Sequence, residues 1–240
     1  MKFERNSGIL LHPTSLPDSP VCGSFGEPAR VWLNELAASG IGVWQFLPLA
    51  PPDSFGSPYS SPSSFAFNPW FLDQNDLVRD GFLANTLEKF SSENNYFDNR
   101  VDSQLANSRV KLLRSFLVDY WDKQNRTTQE EFERWCSKQF WLDDHSIFME
   151  LKIQNNDLPW WEWPDKYAVR DKKELVNWKK NNQRELLGHN LLQWHLDRQW
   201  KSIRKLAKNL GIFLFGDVPF YVSKDSADVW SNRSLFSILT

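Results

Sequence analysis

Apolar positions along the chain fall into two patterns. Short, nearly continuous runs stand at Gly8–His12, Ile41–Leu49 and Ile212–Phe215, each bounded by Pro or Gly. Such runs predict strands. Ile41–Leu49, apolar almost throughout, suits a parallel strand covered on both faces. Three strands without the rest of a barrel leave an apolar face uncovered around Ile212 to Phe215. Elsewhere the apolar residues recur every three to four positions. Val31, Trp32, Leu36 and Ala37 share one face of a helix from Glu27 to Ser39, with Pro28 in its first turn and Gly40 at its end. Leu192, Leu196, Ile203, Leu206, Ala207 and Leu210 make a stripe on a helix from Arg184 to Asn209, stopped by Gly211. Between these, Leu105, Leu112, Leu113, Phe116, Leu117, Tyr120 and Trp121 predict a long helix. Thr128–Glu131 has a capping-box pattern leading into Phe132, Trp135 and Cys136, the last read as a small buried apolar residue.

The resulting skeleton is strand, helix, strand, helical insertion, helix, strand. Strands alternating with helices imply parallel pairing and right-handed crossovers. The division expected is 1–49 for two strands with their helix, 50–183 for a loop and helical insertion, and 184–240 for a helix and third strand. A closed barrel needs eight strands and about 250 residues. The pattern yields three, and the chain ends in the apolar run Leu235–Leu239. An interrupted domain is expected, with a small three-stranded sheet as the alternative.

Residues 50–68 are rich in Pro and Ser, and five aromatics stand from Phe55 to Trp70, just past its end. A loop of that length is functional or disordered, and the aromatics argue against disorder. The segment Leu158–Pro164, with three Trp, is too Pro-bounded for a helix and is read as structural rather than as a sugar platform. His12 and Asp217 stand at strand ends, where parallel barrels place ligand chemistry. An Asp there also serves as a cap for the following turn.

Composition narrows the classes. A formal net charge of −2 argues against nucleic-acid binding through bulk charge. Two cysteines make neither a disulfide framework nor a four-thiolate zinc site, and none of the four histidines is paired at metal-ligand spacing. The N-terminus lacks a signal-peptide apolar run and no apolar stretch reaches 18 residues, so a cytoplasmic protein without membrane contact is expected. Thirteen Trp and 18 Phe supply either core mass or stacking faces for sugar rings, and composition does not choose between them.

The motifs choose. Gly8–Pro17 (GILLHPTSLP) resembles the opening signature of the 4-alpha-glucanotransferases, the amylomaltases or disproportionating enzymes. Trp44–Leu49, Ser57-Pro58-Tyr59 and Ser64–Pro69 are similar to that family's second strand and active-site loop, with Phe67 where the family often has Gly. Gln193-Trp194, Gln199-Trp200, Gly216–Val222 and Asp225–Trp230 are similar to the stretch around its third strand.

The resemblance implies the first three strands of a (β/α)8 barrel with a large helical insertion, the barrel incomplete in these 240 residues. It implies transfer of α-1,4-glucan segments with retained configuration, maltooligosaccharides and α-glucans as partners, and no cofactor or metal. Retention needs a carboxylate nucleophile and an acid/base about 5–5.5 Å apart. In the family these follow the fourth, fifth and seventh strands, which have no matching positions here, so no catalytic residue is assigned. Asp225 and Asp228 match non-catalytic positions. Ser57, Tyr59 and Asp217 carry over as substrate-binding residues, with His12 a weaker candidate that suits a strand end equally well. The expectation is the N-terminal part of such an enzyme, inactive alone. The alternatives are a non-catalytic α-glucan-binding module and a subunit complemented by a C-terminal chain.

Overall fold

The structure is a computed structural model that describes residues 5–17, 21–85 and 101–237. Pro20 of the first loop and Ile238–Thr240 of the final apolar run lie outside the described residues. In chain order the elements are β1 (Gly8–Leu10), α1 (Glu27–Ala38), β2 (Val43–Gln45), α2 (Gln74–Arg79), α3 (Ser103–Trp121), α4 (Arg126–Cys136), α5 (Leu142–Gln154), α6 (Asp165–Ala168), α7 (Lys172–Asn181), α8 (Gln183–Asn209), β3 (Phe213–Phe215) and α9 (Ala227–Ser231). They form two compact units. The first comprises Met1–Leu49, Phe67–Gln124 and Leu192–Val218; the second comprises Ala50–Ala66, Asn125–Leu191 and Pro219–Thr240.

In the first unit the strands lie parallel in the order β1-β2-β3. Ile9, Trp44 and Leu214 are in register, as are Leu10, Gln45 and Phe215. Alternation therefore puts the first row on one face and the second on the other. On the first face Trp44 is fully buried and donates from Nε1 to the Leu11 carbonyl at 2.7 Å. Phe46 stands edge-on to Trp44 and to Trp200 of α8, with ring centroids 5.7 and 5.5 Å apart. Phe25 continues this packing against Phe71 and Trp200 at 4.8 and 4.9 Å.

The second face is largely uncovered, as expected around Ile212 to Phe215. Leu10, Phe213 and Phe215 are 55%, 45% and 60% exposed. An apolar run reports what its side chains tolerate, not what stands opposite them. Among the described residues the sheet is open and no barrel closes.

Helix α3 keeps the predicted period but buries Ala106, Arg109, Leu113, Leu117 and Val118, while Leu112 and Phe116 face outward. Arg109 holds a core position because its guanidinium donates to the Trp70 carbonyl. The Cys22 thiol contacts the same oxygen at 3.6 Å.

In the second unit the cap of α4 is Asn125, whose side chain accepts from the Thr128 amide at 2.9 Å. The box predicted at Thr128 thus begins three residues late. Cys136 is half-buried rather than buried, and desolvation pushes its thiol up to about 12. Phe148, Leu151, Trp160, Trp163, Trp178 and Trp230 build the core. Two of the three tryptophans of the Trp-rich segment are packing, Trp160 donating to the Lys224 carbonyl at 2.7 Å and Trp163 to the Leu158 carbonyl at 2.8 Å, while Trp161 is exposed.

Candidate functional site

The Pro/Ser-rich loop owes its shape to short polar side chains that bond neighbouring backbone. Asp53 Oδ1 accepts from the amides of Phe55 and Ser57, both at 2.9 Å. The Gly56 amide donates to the Asp53 carbonyl at 3.0 Å, and φ of +85° at Gly56 is a conformation that favours glycine. Ser57 then caps a 3-10 turn over Pro58–Ser60, its Oγ accepting from the Tyr59 amide at 3.3 Å. Tyr59 sits on this fixed turn with 44% of its surface exposed.

Beyond the turn the serines close the chain on itself. Ser61 Oγ donates to the Ser63 carbonyl at 2.7 Å, and Ser63 Oγ accepts from the amides of Phe65 and Ala66 at 3.2 Å each. The Ser64 amide donates to Asp228 Oδ2 at 2.9 Å, and the Ala227 amide to the Pro62 carbonyl at 2.8 Å. Burial raises the Asp228 carboxyl above its ordinary value, against the opposing effect of the Ser64 amide.

In the first unit the Gln-Trp pairs have a visible role. Gln193 accepts from the Phe67 amide and donates to the Phe67 carbonyl, both at 2.9 Å. Gln199 does the same for Asp73, again at 2.9 Å each way. Two side-chain amides thus hold the segment 67–73 on α8 as a neighbouring strand would. Phe67, where the family often has Gly, packs its ring 5.9 Å from Phe25.

Asp217 follows β3 and is exposed, its Oδ1 accepting from the Val218 amide at 2.8 Å. His12 follows β1, half-buried and edge-on to Phe71 at 5.5 Å. Burial lowers its pKa to about 4, so its ring is neutral at neutral pH. Ser57 and Tyr59 therefore share one turn of the second unit, while Asp217 and His12 belong to the first. Sequence reasoning gave Asp53 no role; its one signal was an Asp three residues before a Gly. Asp228 had no local signal, because its partner is 164 residues away. Among the described residues no group of His, Cys, Asp and Glu is placed to hold a metal ion.

Comparison with known proteins meets this geometry. The model of the 4-alpha-glucanotransferase family matches residues 11–239. The chain is 35% identical to the 4-alpha-glucanotransferase of a Synechocystis species over 99% of its own length and 47% of that protein. It is equally similar, at 35% over the same shares, to the enzyme of Thermus thermophilus. The amylomaltase of Streptococcus agalactiae in complex with acarbose superposes with a TM-score of 0.88 at 30% identity, over 98% of this chain and 48% of that one. The chain belongs to the 4-alpha-glucanotransferase family, and it spans about half the length of the relatives it matches. Among the described residues no helix is long and apolar enough to cross a membrane.

Proposed function

We propose that these residues form the glucan-holding part of a cytoplasmic 4-alpha-glucanotransferase. Their sheet supplies the first three strands of its (β/α)8 barrel. The observation that carries this reading is the Tyr59 turn, a half-exposed tyrosine on backbone tied at Asp53 and Ser57. A sugar offers an apolar C–H face and a rim of hydroxyls, and Tyr offers a ring face and an O–H. Asp217, exposed after β3, would accept from sugar hydroxyls. Ser57 also lies in the site, with its Oγ committed to the turn and its backbone beside Tyr59.

In the reaction a carboxylate attacks the anomeric carbon while a carboxylic acid protonates the leaving oxygen. The acid, now a base, activates the acceptor hydroxyl. Acceptor sugar outcompetes water where the site is shielded from solvent. These carboxylates would come from later strands, whether in the same polypeptide or in a complementing chain. The residues described here bind and orient donor glucan, and no metal or organic cofactor enters the chemistry.

The test is calorimetric titration with acarbose alongside a maltotriose transfer assay. Saturable binding by the intact protein is expected. Tyr59→Ala should weaken it about tenfold and Tyr59→Phe less, since Phe keeps the ring face. Asp217→Asn should lower transfer by roughly 10–100-fold, the worth of a hydrogen bond to a charged group. The 240 residues alone should release no glucose from maltotriose. Wild-type binding and transfer in both Tyr59→Ala and Asp217→Asn would show that the two residues are structural.

A further inference from the structure

We propose that Asp228 is a positioning residue for the Tyr59 turn: together with the Ala227 amide it anchors residues 62–64, so glucan affinity depends on a carboxylate that does not touch glucan. The inference rests on the reading that Tyr59 contacts glucan.

An Asp in the first turn of a short helix ordinarily serves that helix. Here α9 already has its cap, because Ser226 is fully buried and its Oγ accepts from the Val229 amide at 3.2 Å. Asp228 is half-buried, and its Oδ2 accepts from the Ser64 amide at 2.9 Å. The Ala227 amide, one of the donors a helix start leaves without a helical partner, goes to the Pro62 carbonyl at 2.8 Å. Two bonds, from adjacent residues of α9 to loop residues two apart, fix both the position and the direction of the loop.

The anchor is itself held. Asp225 pairs with Lys152 of α5 at 2.5 Å. Trp230 is fully buried, lies 5.8 Å from both Phe148 and Trp163, and donates to the Tyr167 carbonyl at 3.0 Å. On the loop side Ser61 Oγ bonds both the carbonyl and the amide of Ser63, which ties the anchored residues to the one that follows the 3-10 turn of Tyr59. Named bonds within one unit therefore run from the core through α9 to Ser61, the residue that ends the turn of Tyr59.

The experiment uses the intact protein with acarbose as probe and compares wild type with Asp228→Ala, Asp228→Asn and Tyr59→Ala. Affinity is read by calorimetry, folding by thermal melting and the bond itself by hydrogen exchange at the Ser64 amide. Asp228→Ala should weaken acarbose about tenfold and speed Ser64 exchange at least as much, with little change in Tm. Asp228→Asn should restore both, because its amide oxygen still accepts from Ser64. Should Asp228→Ala fail to fold, Asp228→Glu serves, its acceptor displaced by one methylene and the same loss of affinity expected. Fast exchange of the wild-type Ser64 amide overturns the anchor. Unchanged acarbose affinity in Asp228→Ala, while Tyr59→Ala is weakened, overturns the positioning role. Unchanged affinity in Tyr59→Ala, with Ser64 still protected by Asp228, overturns instead the reading of the turn as a glucan site.

Discussion

His145 shows how much a single buried side chain governs. It sits on α5 with its ring 5.6 Å from Trp141, and its Nδ1 has no hydrogen-bond partner. Burial, and secondarily His189 nearby, pushes its pKa down to about 3. Between the ordinary value of 6.5 and that lowered value, the unfolded chain binds a proton that the folded chain refuses. Stability is therefore present above pH 6.5 and is lost as pH falls, by about 1.4 kcal/mol per unit. His145→Gln cannot titrate. Urea denaturation at pH 7 and pH 5 should show wild type losing about 2 kcal/mol more than the variant, the span from 6.5 to 5. Coincident acid limbs would mean that His145 is not held neutral by the fold. The sequence shows where a histidine is, not the desolvation around it.

Among the elements, period was legible and phase was not. The spacing in α3 announces a helix, yet the buried stripe runs through Ala106, Arg109, Leu113 and Leu117. An arginine at a core position misleads any hydrophobicity pattern, because what admits it is the Trp70 carbonyl, 39 residues back. Leu113→Ala should cost about 2–4 kcal/mol in chemical denaturation and the exposed Leu112→Ala under about 1. At the start of α4, Asn125→Ala should cost about 1 kcal/mol and Thr128→Ala a few tenths, since the cap is Asn125. Equal effects within either pair would contradict the observed phase. The Gln-Trp pairs on α8 were legible only as a family resemblance; their bidentate grip on Phe67 and Asp73 needs both segments in place.

For the whole molecule the decisive feature is the sheet. One face carries Trp44 against Phe46 and Trp200, and the other leaves Leu10, Phe213 and Phe215 exposed. Apolar surface of this kind binds hydrophobic dyes and drives association. The 240 residues expressed alone should enhance anilinonaphthalene sulfonate fluorescence and show a concentration-dependent mass by light scattering. Phe215→Lys should reduce both. A monodisperse monomer that leaves the dye dark would show that this face is covered.

What the amino-acid sequence by itself determined is local and periodic. It set three parallel strands, because short apolar runs alternate with helical stripes, and it set the family, because ordered motifs span the chain. It also marked residues 50–68 as an ordered loop, since Pro and Ser break regular elements and the aromatics argue against disorder. Tertiary structure alone decided which contacts join distant residues: Asp228 to Ser64, Gln193 to Phe67 and Arg109 to Trp70. Hydrogen bonds between residues far apart in sequence leave no periodic trace, because a polar side chain's value depends on the partner that folding brings to it.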